Sequence, residues 1–119
     1  MRAIASNMVE ENGGVTVYNT VVEIDSYKDY YMYGKYEIFD VVMVDWNGHI
    51  ISVYVDDEGM LKEGNFGRLV EGYPQPLFGD FVITGGVDEE GNTLPLPDEF
   101  TPNNINEFIS SVEFIIRSN

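Results

Sequence analysis

Cysteine is absent from this 119-residue chain, and basic residues are scarce, with six Lys and Arg against 21 Asp and Glu. The lack of cysteine excludes disulfide frameworks, thiolate metal sites and cysteine nucleophiles. The scarcity of bases leaves a formal net charge of −15. Such a charge opposes direct binding to DNA, RNA or anionic lipid, because these ligands require cations that neutralise phosphate.

Long hydrophobic runs are also missing. No stretch approaches the roughly 18 apolar residues of a membrane span, and the first residues lack the apolar segment of a signal peptide. Hydrophobic residues still make up 44% of the chain, which is too many for a disordered acidic tail. We therefore expect residues 1–119 to form a single acidic domain in the cytoplasm, with no contact to a membrane.

The clearest local signal is a hairpin. Asn47-Gly48 lies between the runs 36–46 and 49–56, which are rich in β-branched and aromatic residues, and both turn residues tolerate the positive φ of a tight turn. Apolar residues on both faces of the first run predict a central strand. Residues 2–5 resemble a short edge strand, and the run 15–24 predicts one irregular strand or two short ones.

Two helices are predicted beside the strands. Ser26 and Asp29 are typical of a helix start and Gly34 of its end, which indicates a short Tyr-rich helix. Thr101 and Pro102 precede apolar residues at three- and four-residue spacing, namely Ile105, Phe108, Ile109, Val112, Ile115 and Ile116. We expect an α+β fold: a small antiparallel sheet with a central Asn-Gly hairpin, covered by an amphipathic C-terminal helix, plus the short Tyr-rich helix.

Three segments carry a family resemblance: Tyr36-Glu37-Ile38-Phe39-Asp40, the strand and turn at 53–61 and the stretch 76–85. The last two contain the patterns D-E-G-x-L, at 57–61, and G-x-F-x-I-x-G, at 79–85. Together they resemble a small domain family of unknown function that is common in phages, plasmids and conjugative elements. The resemblance covers roughly residues 24 to 110. It implies that the protein originates from a mobile element and acts in a bacterial cytosol. It supplies no catalytic residue.

Signals for catalysis and metal binding are weak. The one histidine, His49, directly follows a tight turn, and no serine lies in a G-x-S-x-G context. Asp88, Glu90, Asn92 and Glu99 fit four positions of a calcium loop, but Thr93 replaces its essential glycine. We therefore predict a protein that is not an enzyme and holds no cofactor or metal; a metal-assisted hydrolase that uses acid clusters stays open as a third hypothesis.

Tyrosines form one of the two unusual features. Five of the eight lie between Tyr27 and Tyr36. Tyrosine is enriched at interfaces, since it offers rigid amphipathic area with a hydroxyl group. The alternative is that these residues pack against the sheet as core. Tyr30, Tyr31 and Tyr33 are the candidates for partner binding.

Acidic residues form the second unusual feature of the sequence. From Asp40 to Glu99 the chain has 13 acids and two bases, a net charge of −11 in 60 residues. The acids lie mainly in turns, and the candidate partner-binding residues are Asp56, Asp57, Glu58, Glu63, Asp88, Glu89 and Glu90. The alternative is charge that serves solubility alone, although a small domain needs a net charge of only about 2 to 8 for that purpose.

These features lead to two functional hypotheses. The first is a DNA mimic of anti-CRISPR or anti-restriction type, a mobile-element inhibitor that binds the cationic groove of a host defence nuclease. The second is an adaptor or structural module of a mobile element that binds another protein through its Tyr-rich face and the Gly/Pro-rich loop 64–76. Neither the partner nor the oligomeric state follows from the sequence.

Overall fold

Antiparallel strands make up most of the structure. The computed structural model describes residues 1–34, 39–58, 66–112 and 114–115, the last two and residue 39 through their backbone alone. In chain order the elements are β1 (Arg2–Glu11), β2 (Gly14–Glu23), α1 (Tyr27–Gly34), β3 (Phe39–Trp46), β4 (His49–Asp56), β5 (Phe66–Arg68), β6 (Leu77–Phe78), β7 (Phe81–Gly85), a 3₁₀ helix (Pro102–Glu107) and β8 (Phe114–Ile115). No helix in these ranges is both long and apolar enough to cross a membrane.

The strands form two sheets. The larger has five strands in the order β2-β1-β7-β4-β3, and the smaller has three in the order β6-β5-β8. The predicted turn at Asn47-Gly48 is confirmed, with φ of 50° and 83°. A second turn of the same kind lies at Asn12-Gly13, with φ of 52° and 79°, and joins β1 to β2. Asn and Gly at both sites supply the left-handed conformations that a two-residue hairpin requires.

The predicted places of two strands in the sheet are wrong. The short edge strand at 2–5 is part of the ten-residue β1, which lies between β2 and β7. The run 15–24 is confirmed as one strand, β2, and it is continuous where an irregularity was predicted. The strand predicted to be central, β3, lies at an edge, while β4 is interior. Val41 and Val42 of β3 pack against the cores on opposite faces of the sheet. Because both faces are covered, even an edge strand carries apolar residues on both sides.

The predicted C-terminal helix is also wrong, and with it the α+β assignment of a sheet covered by a helix. A 3₁₀ helix of six residues, Pro102–Glu107, occupies the first part of the segment that was predicted to be this helix. The chain then continues extended beside β5: Ser110 donates from its backbone N to the Leu69 carbonyl, and its hydroxyl accepts a bond from the Leu69 N–H. Ile105, Phe108 and Ile109 are nevertheless buried. Their spacing marked burial correctly. The N–H groups of Phe108 and Ile109 still donate to the Ile105 carbonyl, but from the Phe108 carbonyl onward the backbone bonds with residues 69–71. Ile116 lies outside the described residues.

Each face of the five-stranded sheet is covered by a different segment. On one face Ile51, Phe81 and Ile83 pack against residues that follow β7, among them Phe100 and Ile105. On the other face a smaller cluster joins the sheet to Ile24 and to α1, and consists of Ala3, Ile24, Tyr30, Tyr54 and Val82. The short Tyr-rich helix predicted after Ser26 is confirmed as α1.

A buried arginine connects the two sheets. Arg68 of β5 is 1% exposed, and its Nη1 donates to Ser6 Oγ at 2.7 Å while its Nε donates to the Ser110 carbonyl at 3.0 Å. The guanidinium lies 5.3 Å from the centroid of the Phe81 ring, a cation–π contact. Burial lowers the pKa of Arg68 to about 10, against the opposing effect of the Asp80 charge, so the side chain is still cationic at neutral pH.

We expect Arg68→Lys to lower the free energy of unfolding by about 2 to 3 kcal/mol, because one ammonium cannot replace a planar fork that serves two acceptors and an aromatic face. Urea denaturation measures this change. Lys28→Arg, a similar exchange at an exposed position of α1, should change the stability by less than about 0.5 kcal/mol. Equal effects of the two substitutions would contradict the structural role of Arg68.

Candidate functional site

The two predicted acidic turns lie at opposite ends of the larger sheet. In the antiparallel pair of β4 and β7, Tyr54 lies opposite Val82 and Ile51 opposite Gly85. The chain therefore reaches Asp56 at the end where β7 begins, and leaves β7 for Asp88 at the other end. The two turns therefore leave the β4–β7 pair in opposite directions. They do not form one acidic cluster.

Asp56 and Asp57 line a concave surface that we call the acidic groove. Its volume is about 310 Å³. The β3–β4 pairing places Asp40 beside this end, because Asp40 lies opposite Val55. The lining consists of Asp40, Val42, Val55, Asp56, Asp57, Tyr73, Gln75, Pro76, Leu77 and Phe78. The groove thus combines three carboxylates with aliphatic and aromatic walls.

Local hydrogen bonds fix two of the three carboxylates. Asp40 Oδ1 accepts a bond from the Val41 N–H at 2.8 Å, and Asp56 Oδ1 accepts one from the Glu58 N–H at 2.9 Å. Glu58 itself is half-buried, and Glu63, also predicted as a site residue, lies outside the described residues. Asp40 and Asp56 of the acidic groove are therefore held by their own backbone surroundings.

The acidic groove suits an organic cation better than a metal ion. Lys and Arg have a long aliphatic stem and a charged end, which match apolar walls below a set of carboxylates. In the part of the chain that the structure describes, no group of three or more His, Asp and Glu side chains could hold a metal ion. This statement includes the Asp88–Glu99 segment that fits part of a calcium loop.

At the other end, Asp88 serves the turn that carries it. Asp88 Oδ1 accepts bonds from the N–H groups of Asn92 at 2.8 Å and Glu90 at 2.9 Å. These bonds, above all that from Asn92, hold the pKa of Asp88 below its usual range. Glu89 and Glu90 are exposed at the tip of the turn. Two of the three predicted acids in this turn are therefore available at the surface, and Asp88 positions them.

A larger cavity of about 500 Å³ lies beside this turn, and contains the one histidine. His49 Nε2 is 3.0 Å from Glu99 Oε1, and both side chains are exposed at the rim. The described lining is otherwise apolar: Ile50, Gly85, Gly86, Val87, Leu94, Pro95 and Pro97. A His–Glu pair could act as a base, but none of these lining residues offers a hydroxyl nucleophile.

The three predicted tyrosines occupy different environments. Tyr30 is 8% exposed and packs on Tyr54 at 4.3 Å between ring centroids, and its burial raises the pKa of its hydroxyl. Tyr33 is half-buried against the same cluster. Tyr31 is exposed and meets Tyr27 edge to face at 6.2 Å. Tyr30 is thus a core residue, and Tyr27, absent from the predicted set, is the most exposed of the four.

Basic groups in the described ranges contribute little positive charge to the surface. Arg68 is buried, and Arg2 donates to the carbonyls of Pro97 and Phe100. The N-terminal ammonium forms an ion pair with Glu23. Lys28 is the described lysine, and it is exposed on α1. The outer surface of this part of the chain is therefore more acidic than the composition alone indicates.

Some residues of the acidic groove could have been found from the sequence. The Asn47-Gly48 turn fixes the register of its hairpin, and counting outward from it places Asp40 beside Asp56. Tyr73 and Gln75 reach the acidic groove from a loop, and no local pattern predicts that approach.

Comparisons with known proteins bear on the family of this chain. A search of curated proteins and a search of solved structures found no match. A family model described as "Domain of unknown function (DUF3846)" matches residues 8–110, which is most of the chain. That description names no activity and no ligand. The match shows that the chain belongs to the DUF3846 family of domains.

Proposed function

We propose that this protein is a non-enzymatic inhibitor, encoded by a phage or another mobile element, that acts in the host cytosol. It presents carboxylates to the cationic groove of a host nucleic-acid-binding defence protein, such as a CRISPR or restriction nuclease. The single observation that carries the proposal is the acidic groove, in which three carboxylates surround apolar walls. Binding there competes with DNA, and so the inhibitor acts as a DNA mimic.

The acidic groove would accept a basic side chain of the partner. The stem of an Arg or Lys lies against Val42, Val55 and Leu77, and its charged end meets the carboxylates at the rim. Tyr73, which is 38% exposed, offers an aromatic face on which a guanidinium can stack. Such a contact is stronger than a surface ion pair, because the walls remove water from the charged groups.

The separation of the acidic ends favours an extended cationic surface as the target. The molecule measures 46 × 27 × 27 Å, and its long axis exceeds one turn of duplex DNA, which is about 34 Å. The acidic groove can meet one set of DNA-binding cations while Glu89 and Glu90 meet another. The strong negative field also speeds association with a basic partner and makes it dependent on salt.

Neutralising the acidic groove should weaken binding to a basic probe. The variant Asp40→Asn, Asp56→Asn, Asp57→Asn keeps the oxygens that accept backbone bonds and removes three charges. We expect its affinity for a fluorescein-labelled nona-arginine peptide to fall at least about tenfold, that is by about 1.4 kcal/mol. Fluorescence anisotropy measures the affinity.

The matched control is Glu10→Gln, Asp25→Asn, Asp98→Asn, which removes the same charge at exposed acids outside the acidic groove and outside the Asp88–Glu90 turn. We expect it to weaken binding by less than about threefold, or about 0.65 kcal/mol. Equal losses would show that the charge acts as a uniform coat and would contradict a site in the acidic groove.

The second prediction concerns competition with DNA. The protein should displace a labelled target duplex from a guide-loaded CRISPR nuclease or from a restriction enzyme in an electrophoretic mobility assay. Displacement should weaken steeply between about 0.05 and 0.2 M salt, because the contacts are ionic. The groove variant should compete poorly. Unchanged DNA occupancy across a panel of such nucleases would remove the DNA-mimic proposal.

The exposed tyrosines favour a second candidate function. Tyr27 is 65% exposed, meets Tyr31 edge to face, and lies on α1 with the exposed Met32. An aromatic pair beside methionine is typical of a protein-binding surface. On this alternative the protein is an adaptor or structural module of a mobile element, and its charge serves solubility.

The two functions differ in their response to one variant. If the tyrosines bind the partner, the immobilised variant Tyr27→Ser, Tyr31→Ser should capture none. The unaltered protein should then still capture the partner in about 0.3 M salt, at which ionic contacts are screened. If the acidic groove binds, this double variant should compete with DNA as well as the unaltered protein does.

A further inference from the structure

The outer edge of β2 is long, and no described strand pairs with it, although the 3₁₀ helix contacts part of β2. β2 ends the five-stranded sheet, and in the described part of the chain its strand neighbour is β1. Ten consecutive residue pairs join the two strands without a bulge, from Arg2 opposite Glu23 to Glu11 opposite Gly14. The hydrogen-bonding alternation of antiparallel strands directs every second N–H and C=O of β2 away from β1. Natural edges are commonly shielded by charge, proline, bulges or shortness.

Charge is also missing from this edge, although the chain has 21 acidic residues. Residues 14–22 contain no Asp, Glu, Lys or Arg, and Glu23 follows at the end of the strand. The opposite edge, β3, carries Asp40 and Asp45. Two copies of a protein with a charge of −15 repel each other at most approaches. Residues 14–22 themselves bring no charge to this contact, and the Glu11 carboxylate of β1 accepts a bond from the Tyr18 hydroxyl.

Apolar side chains on β2 are only partly covered. Val15, Val17 and Val21 lie on the same face of the sheet as Ile4, to which Val21 is paired. Val21 is 48% exposed, and the other two are half-buried. Another strand placed beside β2 would complete their burial and extend the core.

The sequence of β2 is complementary to itself in an antiparallel arrangement. With the two copies of Tyr18 at a two-fold axis, Val15 lies opposite Val21 and Thr16 opposite Thr20. Pairs of β-branched and aromatic residues are favourable in this position. Glu23 falls opposite Gly13, so that no charged residue of β2 lies opposite another. A symmetric pairing of this kind uses the same surface on both partners and closes as a dimer.

We propose that β2 is a homodimer interface, in which it pairs antiparallel with β2 of a second copy. The two five-stranded sheets then form one sheet of ten strands. This inference concerns a surface separate from the acidic groove and does not depend on the proposed function.

The molar mass in solution tests it, by size-exclusion chromatography with light scattering over a dilution series. We expect a dimer of twice 13.5 kDa, about 27 kDa, and stronger association at higher salt, because salt screens the repulsion between the copies. Val21→Glu places a carboxylate on the edge and should give the 13.5 kDa monomer. Met43→Glu, a similar change at an exposed residue of the β3 edge, should leave the dimer intact.

Amide hydrogen exchange provides a second measurement that does not depend on a variant. In the dimer every amide of β2 should be protected, whereas on dilution every second one should exchange quickly. A monomer at all concentrations and salt conditions overturns the proposal. So does a mass that falls with Met43→Glu but not with Val21→Glu, or rapid exchange at the outer edge of β2 in the concentrated protein.

Discussion

The burial of one cation, Arg68, determines how the two sheets of this protein meet. A guanidinium removed from water is costly unless its hydrogen bonds are satisfied, and here Ser6, the Ser110 carbonyl and the Phe81 ring supply its surroundings. Ser6 in turn donates to Asn19 Oδ1 at 2.6 Å, so the network extends to β2. These partners come from strands of the larger sheet and from the chain after the 3₁₀ helix. That last segment, extended beside β5, supplies the acceptor for Arg68 Nε.

Local chemistry explains what the sequence allowed us to predict. The Asn47-Gly48 hairpin, the helix after Ser26 and the strand at Phe81 depend on residues within a few positions of each other. The C-terminal helix was wrong because its apolar spacing reports which residues are buried and not where their backbone bonds go. From the Phe108 carbonyl onward the backbone bonds with residues 69–71, as in the bond between Leu69 and Ser110, which are 41 positions apart. The order of strands in the sheet is non-local in the same sense.

The same contrast between local and non-local information applies to the candidate site. The acids were recognised as turn residues, but their separation follows from the register of β4 against β7, which no turn motif contains. Tyrosines within one short helix were assigned to a single surface, while the sheet beneath α1 buries Tyr30 and leaves Tyr27 and Tyr31 outside. The same packing makes the surface more negative, because Arg68 is buried and Arg2 donates to a backbone carbonyl. Sequence composition counts such cations as if they were exposed.

The place of β1 in the sheet has a consequence for how the chain folds. β1 is the second strand of the larger sheet, yet its neighbour β7 begins at Phe81, so Ile4 meets Ile83 only after most of the chain has been synthesised. Until then the β1–β2 hairpin has one strand partner and two open edges, and a two-stranded ribbon is only marginally stable. Pairing of such distant residues is slow, because the chain loses the entropy of loop closure before the contacts lower its free energy. On the ribosome, the N-terminal hairpin therefore remains incomplete for most of translation.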